Sequence, residues 1–143
     1  MIEKLARRGF SADDFLVQKV PHVEIPRYLS AADAAISFIK PCYSKLSSSP
    51  TKIAEYLASG IPIITNAGVG DVAEQIEADA VGAVIEDFNR ESYNDALLKV
   101  QNLSMDSGIK ARCRQSARER FDLGEIGGSR YRRFYRKIIA SKT

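Results

Sequence analysis

Apolar residues change period several times along the chain, and each change marks an element. Residues 2–8 read as the end of a helix, and "DFLVQKV" at 14–20 has the apolar density of a short strand bounded by Asp13, Asp14 and Pro21. "EIPRYLSAADAAISFI" predicts a short helix around 24–31 and a buried strand at 34–39, with Asp33 between them. The next helix starts at Pro50, whose absent N–H would have had no intrahelical partner in a first turn. Ile53, Tyr56 and Leu57 carry its apolar face to a stop at Gly60. "IPIIT" at 61–65 is a continuous apolar strand, Asp71 is placed to cap a helix over 72–77, and "VGAVI" at 81–85 is another strand. Tyr93, Leu97, Leu98 and Val100 give 90–103 a helical period, and further helices are expected at 106–121 and 125–140. Strand alternates with helix throughout. That predicts an α/β fold in which a parallel sheet of about four strands is covered by helices on both faces and ligands bind beyond the carboxyl ends of the strands.

Composition narrows the classes of function. With 143 residues and 45% hydrophobic content the chain can bury a core, which makes disorder an unsuitable reading and a single soluble domain the expected one. Twenty-one Lys and Arg against 18 Asp and Glu leave a formal charge of +3, too small to imply a nucleic-acid partner. Any anionic ligand must then be recognised locally. Cys42 and Cys113 lie far apart and His22 is the single histidine, so neither a metal site nor a disulfide scaffold is favoured; two buried thiols are expected. No charged segment leading into an apolar one opens the sequence, and no apolar run approaches the roughly 20 residues that span a bilayer. The cytosol is the expected compartment.

Under the strand-end rule, the helix that follows the 34–39 strand through loop 40–49 starts at the ligand-bearing edge. Its first N–H groups lack intrahelical acceptors and sit at the positive end of the helix dipole, which makes an anion site. Ser47, Ser48, Ser49 and Thr51 add hydroxyl donors there, Lys52 adds a full charge, and Glu55 places one turn further on a carboxylate able to accept two hydrogen bonds from a diol. A phosphate beside a diol describes a nucleotide. The plainer alternative is a serine cap with a surface Lys52–Glu55 pair worth about 0.2–0.5 kcal/mol. Two other features stay open in the same way. His22 lines a base or sugar pocket or sits in a surface loop, and Asn66, Gly68 and Gly70 form either a tight turn or a loop closing over the ligand.

Taken together, "SSPTKIAEYLASGIPIIT", the preceding "HVEIPRYLSAADAAISF" and the following "VGAVI" resemble the C-terminal, donor-binding domain of retaining nucleotide-sugar glycosyltransferases of the GT-B fold, of the group 1 type. The resemblance runs from about residue 10 to the C-terminus and is most specific at Pro50-Thr51-Lys52, Glu55-Tyr56 and Gly60-Ile61-Pro62. It implies a Rossmann-like domain, with residues 1–143 covering part of it, and a nucleoside diphosphate sugar, such as a UDP- or GDP-sugar, as donor substrate with no further cofactor and no metal. Of the two glutamates in the family's motif, the second, which holds the ribose hydroxyls, falls on Glu55. The first, which contacts the transferred sugar, falls on Ser47, which supplies no charge. The backbone at Ser49, Pro50 and Thr51 resembles the part that receives the diphosphate. The resemblance also implies that the domain's first strands, with their basic residues, and the partner domain lie outside this chain. The chain alone is then expected to be inactive, and a non-catalytic remnant or regulatory α/β module is the alternative that Ser47 keeps open.

"EIGGSRYRRFYRKIIAS" closes the sequence with Tyr131, Phe134, Tyr135, Ile138 and Ile139 on one helical stripe, surrounded by Arg130, Arg132, Arg133, Arg136 and Lys137. It resembles the terminal helix that crosses to the partner domain in this fold. An interfacial helix on an anionic membrane surface and plain core packing are the competing readings. Exposed strand edges and this stripe also predict self-association, most simply as a two-fold homodimer.

Overall fold

The computed structural model describes residues 2–141. In chain order its elements are α1 (Ile2–Ala6), α2 (Ile25–Leu29), β1 (Ala35–Ser37), α3 (Thr51–Ala58), β2 (Ile63–Asn66), α4 (Val72–Ala78), β3 (Gly82–Ile85), α5 (Arg90–Met105), α6 (Ile109–Phe121) and α7 (Ser129–Ala140). Short 3-10 turns occur at Ala12–Asp14, His22–Glu24 and Tyr43–Lys45, and a π-helical turn at Leu123–Gly128 leads into α7.

Among the described residues the sheet has three parallel strands in the order β1-β2-β3, with Ile64 of β2 opposite Ile36 on one side and Ala83 on the other. Because successive side chains of a strand point to opposite faces, β2 feeds two cores. Ile63 packs with Ile53 and Leu57 of α3, Val72 and Ile76 of α4, and Ile109 and Cys113 of α6. Ile64, with Ala83 and Ile85, lies under Ala96 and Val100 of α5. Helices therefore cover both faces, as the continuous apolar run "IPIIT" requires. Each aliphatic side chain buried this fully contributes about 1.5–3 kcal/mol.

The helix that matters most, α3, follows its sequence closely. Ile53 and Leu57, four residues apart, are both buried against the sheet and α6. Gly60 ends the helix because its φ of +81° is a left-handed conformation that a side chain resists. There the N–H groups of Gly60 and Ile61 turn back to the carbonyls of Leu57 and Tyr56 at 2.9 and 3.1 Å, satisfying the last turn. The chain is thereby aimed straight into β2.

Five of these readings change. Residues 15–20 are not a strand, and Leu16 and Val17 are exposed. Apolar density alone does not make a strand, since its N–H and C=O groups need a neighbouring ladder, and none of the described strands lies beside them. The buried strand expected at 34–39 is confined to Ala35–Ser37, and only Ala35 is buried. As an edge strand it leaves Ile36 56% exposed. Asp71 stands at the N-cap of α4 but makes no capping hydrogen bond, because its ψ of 13° lacks the extended backbone that brings a cap side chain over the first turn. Of the two thiols expected inside, Cys113 is buried and Cys42 is exposed, since it sits on the loop after β1 rather than on a core-facing element. Core packing of the terminal helix also fails, since α7 has no buried residue.

Candidate functional site

β1 delivers the chain to the site, and two polar residues at the end of β2 hold that end still. Thr65 Oγ1 donates to the Ser37 carbonyl at 3.0 Å. Asn66 Oδ1 accepts from the Ile39 N–H at 2.8 Å, and its Nδ2 donates to the carbonyls of Ile39 and Ala67 at 2.9 and 2.8 Å. Both side chains are buried, so these bonds are made without competition from water. Beyond this staple the chain enters the loop 40–50.

A second fastening ties that loop to the one after β2. The Lys45 carbonyl accepts from the N–H groups of Ser48 and Gly70 at 3.1 and 2.9 Å. Gly70 has φ +52°, and a Cβ there would sit 2.2 Å from the Ser48 carbonyl oxygen. Gly68 (φ +77°) likewise leaves only 3.1 Å between a would-be Cβ and Pro41. The Gly-Val-Gly stretch thus lets two loops approach closely, and Gly68 shapes the site through Pro41 of the neighbouring loop.

At the carboxyl end of β1 lies a cleft of about 310 Å³, walled by Ile36, Ser37, Phe38 and Ile39 on the strand side and by Pro50, Thr51 and Lys52 on the helix side. Pro50 occupies the N-cap of α3 with φ −68°, and no side chain caps the helix. The Ile53 N–H turns back to the Pro50 carbonyl at 3.1 Å, and the Thr51 and Lys52 amides ahead of it, on residues that wall the cleft, have no intrahelical acceptor. Ser47 and Ser49 are exposed on the approach, and Lys52 is exposed beside the cleft. Among the described residues Lys52 forms no ion pair with Glu55, so the plain surface-pair alternative is not what the structure contains. From residue 34 to residue 54 the chain carries Lys40, Lys45 and Lys52 and no carboxylate, which makes the loop locally cationic in a nearly balanced molecule.

Glu55 faces elsewhere on the same helix. It lines a second cleft, of about 370 Å³, with Ala54 and Ala58 of α3 and Arg114, Arg118 and Phe121 of α6. Its Oε1 stands 4.0 Å from His22 Nε2, with the carboxylate half-exposed and the imidazole open to solvent. The structure thus joins His22 to Glu55 and sets both apart from the Pro50–Lys52 cleft, with α3 as the shared wall. No hydrogen bond among the described residues occupies the Glu55 carboxylate, which leaves its acceptors open to a ligand.

Three ionisable groups around this frame are displaced from their ordinary values. The Ser44 hydroxyl, 3.3 Å from Cys42 Sγ, holds that thiol below the usual range, whereas burial pushes Cys113 up to about 11. Behind the second cleft, Arg120 grips Asp79 with Nε–Oδ2 at 2.5 Å and Nη2–Oδ1 at 2.6 Å, and Ser116 Oγ donates to the same carboxylate at 2.6 Å. The guanidinium and hydroxyl bonds hold the Asp79 carboxyl below the usual carboxylate range despite its burial. Sequence reasoning did not find Thr65, Lys40 or Lys45, and it read Asn66 as part of the loop after β2 rather than as the residue that fastens the end of β1. The available signal was the absence of any carboxylate between Asp33 and Glu55.

Residues 2–120 match the family model described as "Glycosyl transferases group 1". No curated protein and no solved structure matches the chain. The matched residues take in the whole sheet, the stapled loop and the helix that walls both clefts, so the chain belongs to the group 1 glycosyl transferases.

Proposed function

We propose that this chain binds the nucleoside diphosphate portion of a sugar donor, such as a UDP- or GDP-sugar, within a retaining enzyme that moves a hexose-type sugar to an acceptor. The diphosphate lies at the amino end of α3 over Ser49, Pro50 and Thr51, the Lys52 ammonium pairs with it, and Glu55 accepts hydrogen bonds from the ribose diol one turn on. The observation that carries the reading is the uncapped start of α3 opening on a cleft at the carboxyl end of β1, with Lys52 not engaged by Glu55. Ser47, exposed on the same approach, is a hydrogen-bond donor to the sugar, and His22 borders the diol through its contact with Glu55.

The chemistry asks for such an arrangement. As the bond between the anomeric carbon and the donor's phosphate oxygen breaks, negative charge grows on the leaving diphosphate while the sugar becomes oxocarbenium-like. Backbone amides fixed at a helix start need no reorganisation to meet that charge, and removing one donor of this kind costs on the order of 10²–10³ in rate. The stapled end of β1 keeps those amides in place. In this reading the helix and Lys52, rather than a metal ion, receive the charge.

Lys52→Ala and Ser49→Asp test the proposal by calorimetry with a nucleoside diphosphate and the matching nucleoside. Both variants should weaken the diphosphate and leave the nucleoside unchanged, with Ser49→Asp the worse because it adds repulsion at a positive site. Equal weakening of both ligands would place the phosphates elsewhere.

A further inference from the structure

The proposed donor site holds more positive charge than a diphosphate needs. A sugar donor carries about one negative charge on each of its two phosphates, and the start of α3 together with Lys52 already offers about one and a half positive charges. Lys40 and Lys45 remain. None of these three lysines forms an ion pair among the described residues, and no carboxylate lies between Asp33 and Glu55 to neutralise them. Glu86 and Asp87 follow β3, on the far side of β2.

Both extra lysines stand on fastened backbone. Lys40 sits between Ile39, whose N–H and carbonyl are both held by Asn66, and Pro41, against which Gly68 is seated. The Ser48 N–H donates to the Lys45 carbonyl at 3.1 Å and closes a four-residue turn that contains Ser47. Lys45 therefore shares one turn with the residue that, on the proposed reading, meets the transferred sugar. Its side chain is half-buried, and its charge adds to the Ser44 hydrogen bond in lowering the Cys42 thiol, so it acts over the loop rather than into open solvent.

We infer that the transferred sugar carries a carboxylate, as a hexuronic acid does, and that Lys40 and Lys45 receive it. This rests on the donor reading above and adds the class of sugar to it. Ser47 suits such a sugar, because a hydroxyl donates a hydrogen bond to a carboxylate that an acidic side chain at the same place would repel. The carboxylate brings the donor to about three negative charges, close to the roughly three and a half positive charges of the helix start and the three lysines. With the backbone already held, meeting that third charge costs little ordering.

The test is calorimetry of the full chain with two ligand pairs, UDP-glucose against UDP-glucuronate and GDP-mannose against GDP-mannuronate, with UDP and GDP measured alone. Within the pair whose diphosphate binds, the uronate should bind at least about tenfold more tightly, the scale of one charge-assisted hydrogen bond, and that ratio should shrink in high salt. Lys40→Ala with Lys45→Ala should bring the ratio to about one while the plain diphosphate still binds. Lys99→Ala with Lys110→Ala, which removes the same net charge from α5 and α6, should leave the ratio intact. A ratio near one in the parent, with the diphosphate bound, would overturn this inference and leave the donor reading standing. The full ratio surviving in Lys40→Ala with Lys45→Ala would overturn it as well, since the carboxylate would then be held elsewhere. Failure of both UDP and GDP to bind would remove the donor reading and this inference with it.

Discussion

The loop before α3 and the helix α7 are both rich in cations, yet one is fastened to the molecule and the other is not. Around the loop, the Asn66 side chain holds Ile39, the Lys45 carbonyl holds Ser48 and Gly70, and Gly68 seats against Pro41. Its lysines stand on a frame whose polar atoms are already paired. α7 has ordered its aromatics against one another but leaves its apolar arc and its charges outward. A pre-organised frame suits a small ligand whose charged atoms must be met at fixed points, because little is lost in ordering the site. A segregated amphipathic surface suits a broad apolar face, such as the one that the partner domain presents to the terminal helix in this fold.

The largest effect that would break this contrast falls on the staple. Asn66→Ala removes bonds to the Ile39 N–H and to the carbonyls of Ile39 and Ala67 at a buried position, and should cost about 3 kcal/mol in urea unfolding. It should also loosen nucleoside diphosphate binding in the folded fraction. A loss below about 0.5 kcal/mol would mean that the loop does not depend on the frame.

Next is the clamp at the end of α6, where the tightly packed region gives way to the segment leading to α7. Asp79→Asn should cost about 1–2 kcal/mol, less than a fully buried pair because the Arg120 side chain stays 34% exposed. The sign with pH is fixed by the depressed Asp79 carboxyl. Its contribution is fully present above the ordinary aspartate value of about 3.9 and is lost as pH falls through the lower folded-state value, so the variant should flatten the acid limb of the stability curve. Parallel acid limbs for parent and variant would contradict the assignment.

The smallest stability effect is expected in α7. Phe134→Ser and Ile138→Ser remove no buried contact, so unfolding of the rest of the chain should shift by no more than about 0.5 kcal/mol. A larger shift would show that α7 packs on the rest of the molecule in solution.

Much of the frame was legible because local chemistry and tertiary packing agree there. Ile53 and Leu57 at helical spacing, Gly60 as a stop and the two-sided apolar run at 61–65 all mean in the structure what they mean in sequence. The failures lie where a residue's role is set by a distant neighbour. Leu16 and Val17 look like strand residues until a partner ladder is sought, and Thr65 and Asn66 look like ordinary polar residues at a strand end until the parallel register sets Thr65 opposite Ser37. Gly68 and Gly70 read as a turn, but the close approach that requires them comes from residues more than 20 positions earlier. The separation of Glu55 from Lys52 into two clefts likewise depends on where α6 packs.

The central claim is that α3 reads a diphosphate at its start and a diol one turn on, and a double-mutant cycle by calorimetry tests it most directly. The ligands are a nucleoside diphosphate and its 2′,3′-dideoxy analogue, and the proteins are the parent and Glu55→Ala. Charge-assisted hydrogen bonds of about 1.5–3 kcal/mol predict that removing the diol weakens binding to the parent by roughly 10- to 100-fold. Glu55→Ala should lose the same factor with the natural ligand and nothing more with the analogue. A Glu55→Ala variant that still prefers the natural ligand by the parent's full factor would show that the diol is held by another residue, and would contradict the account.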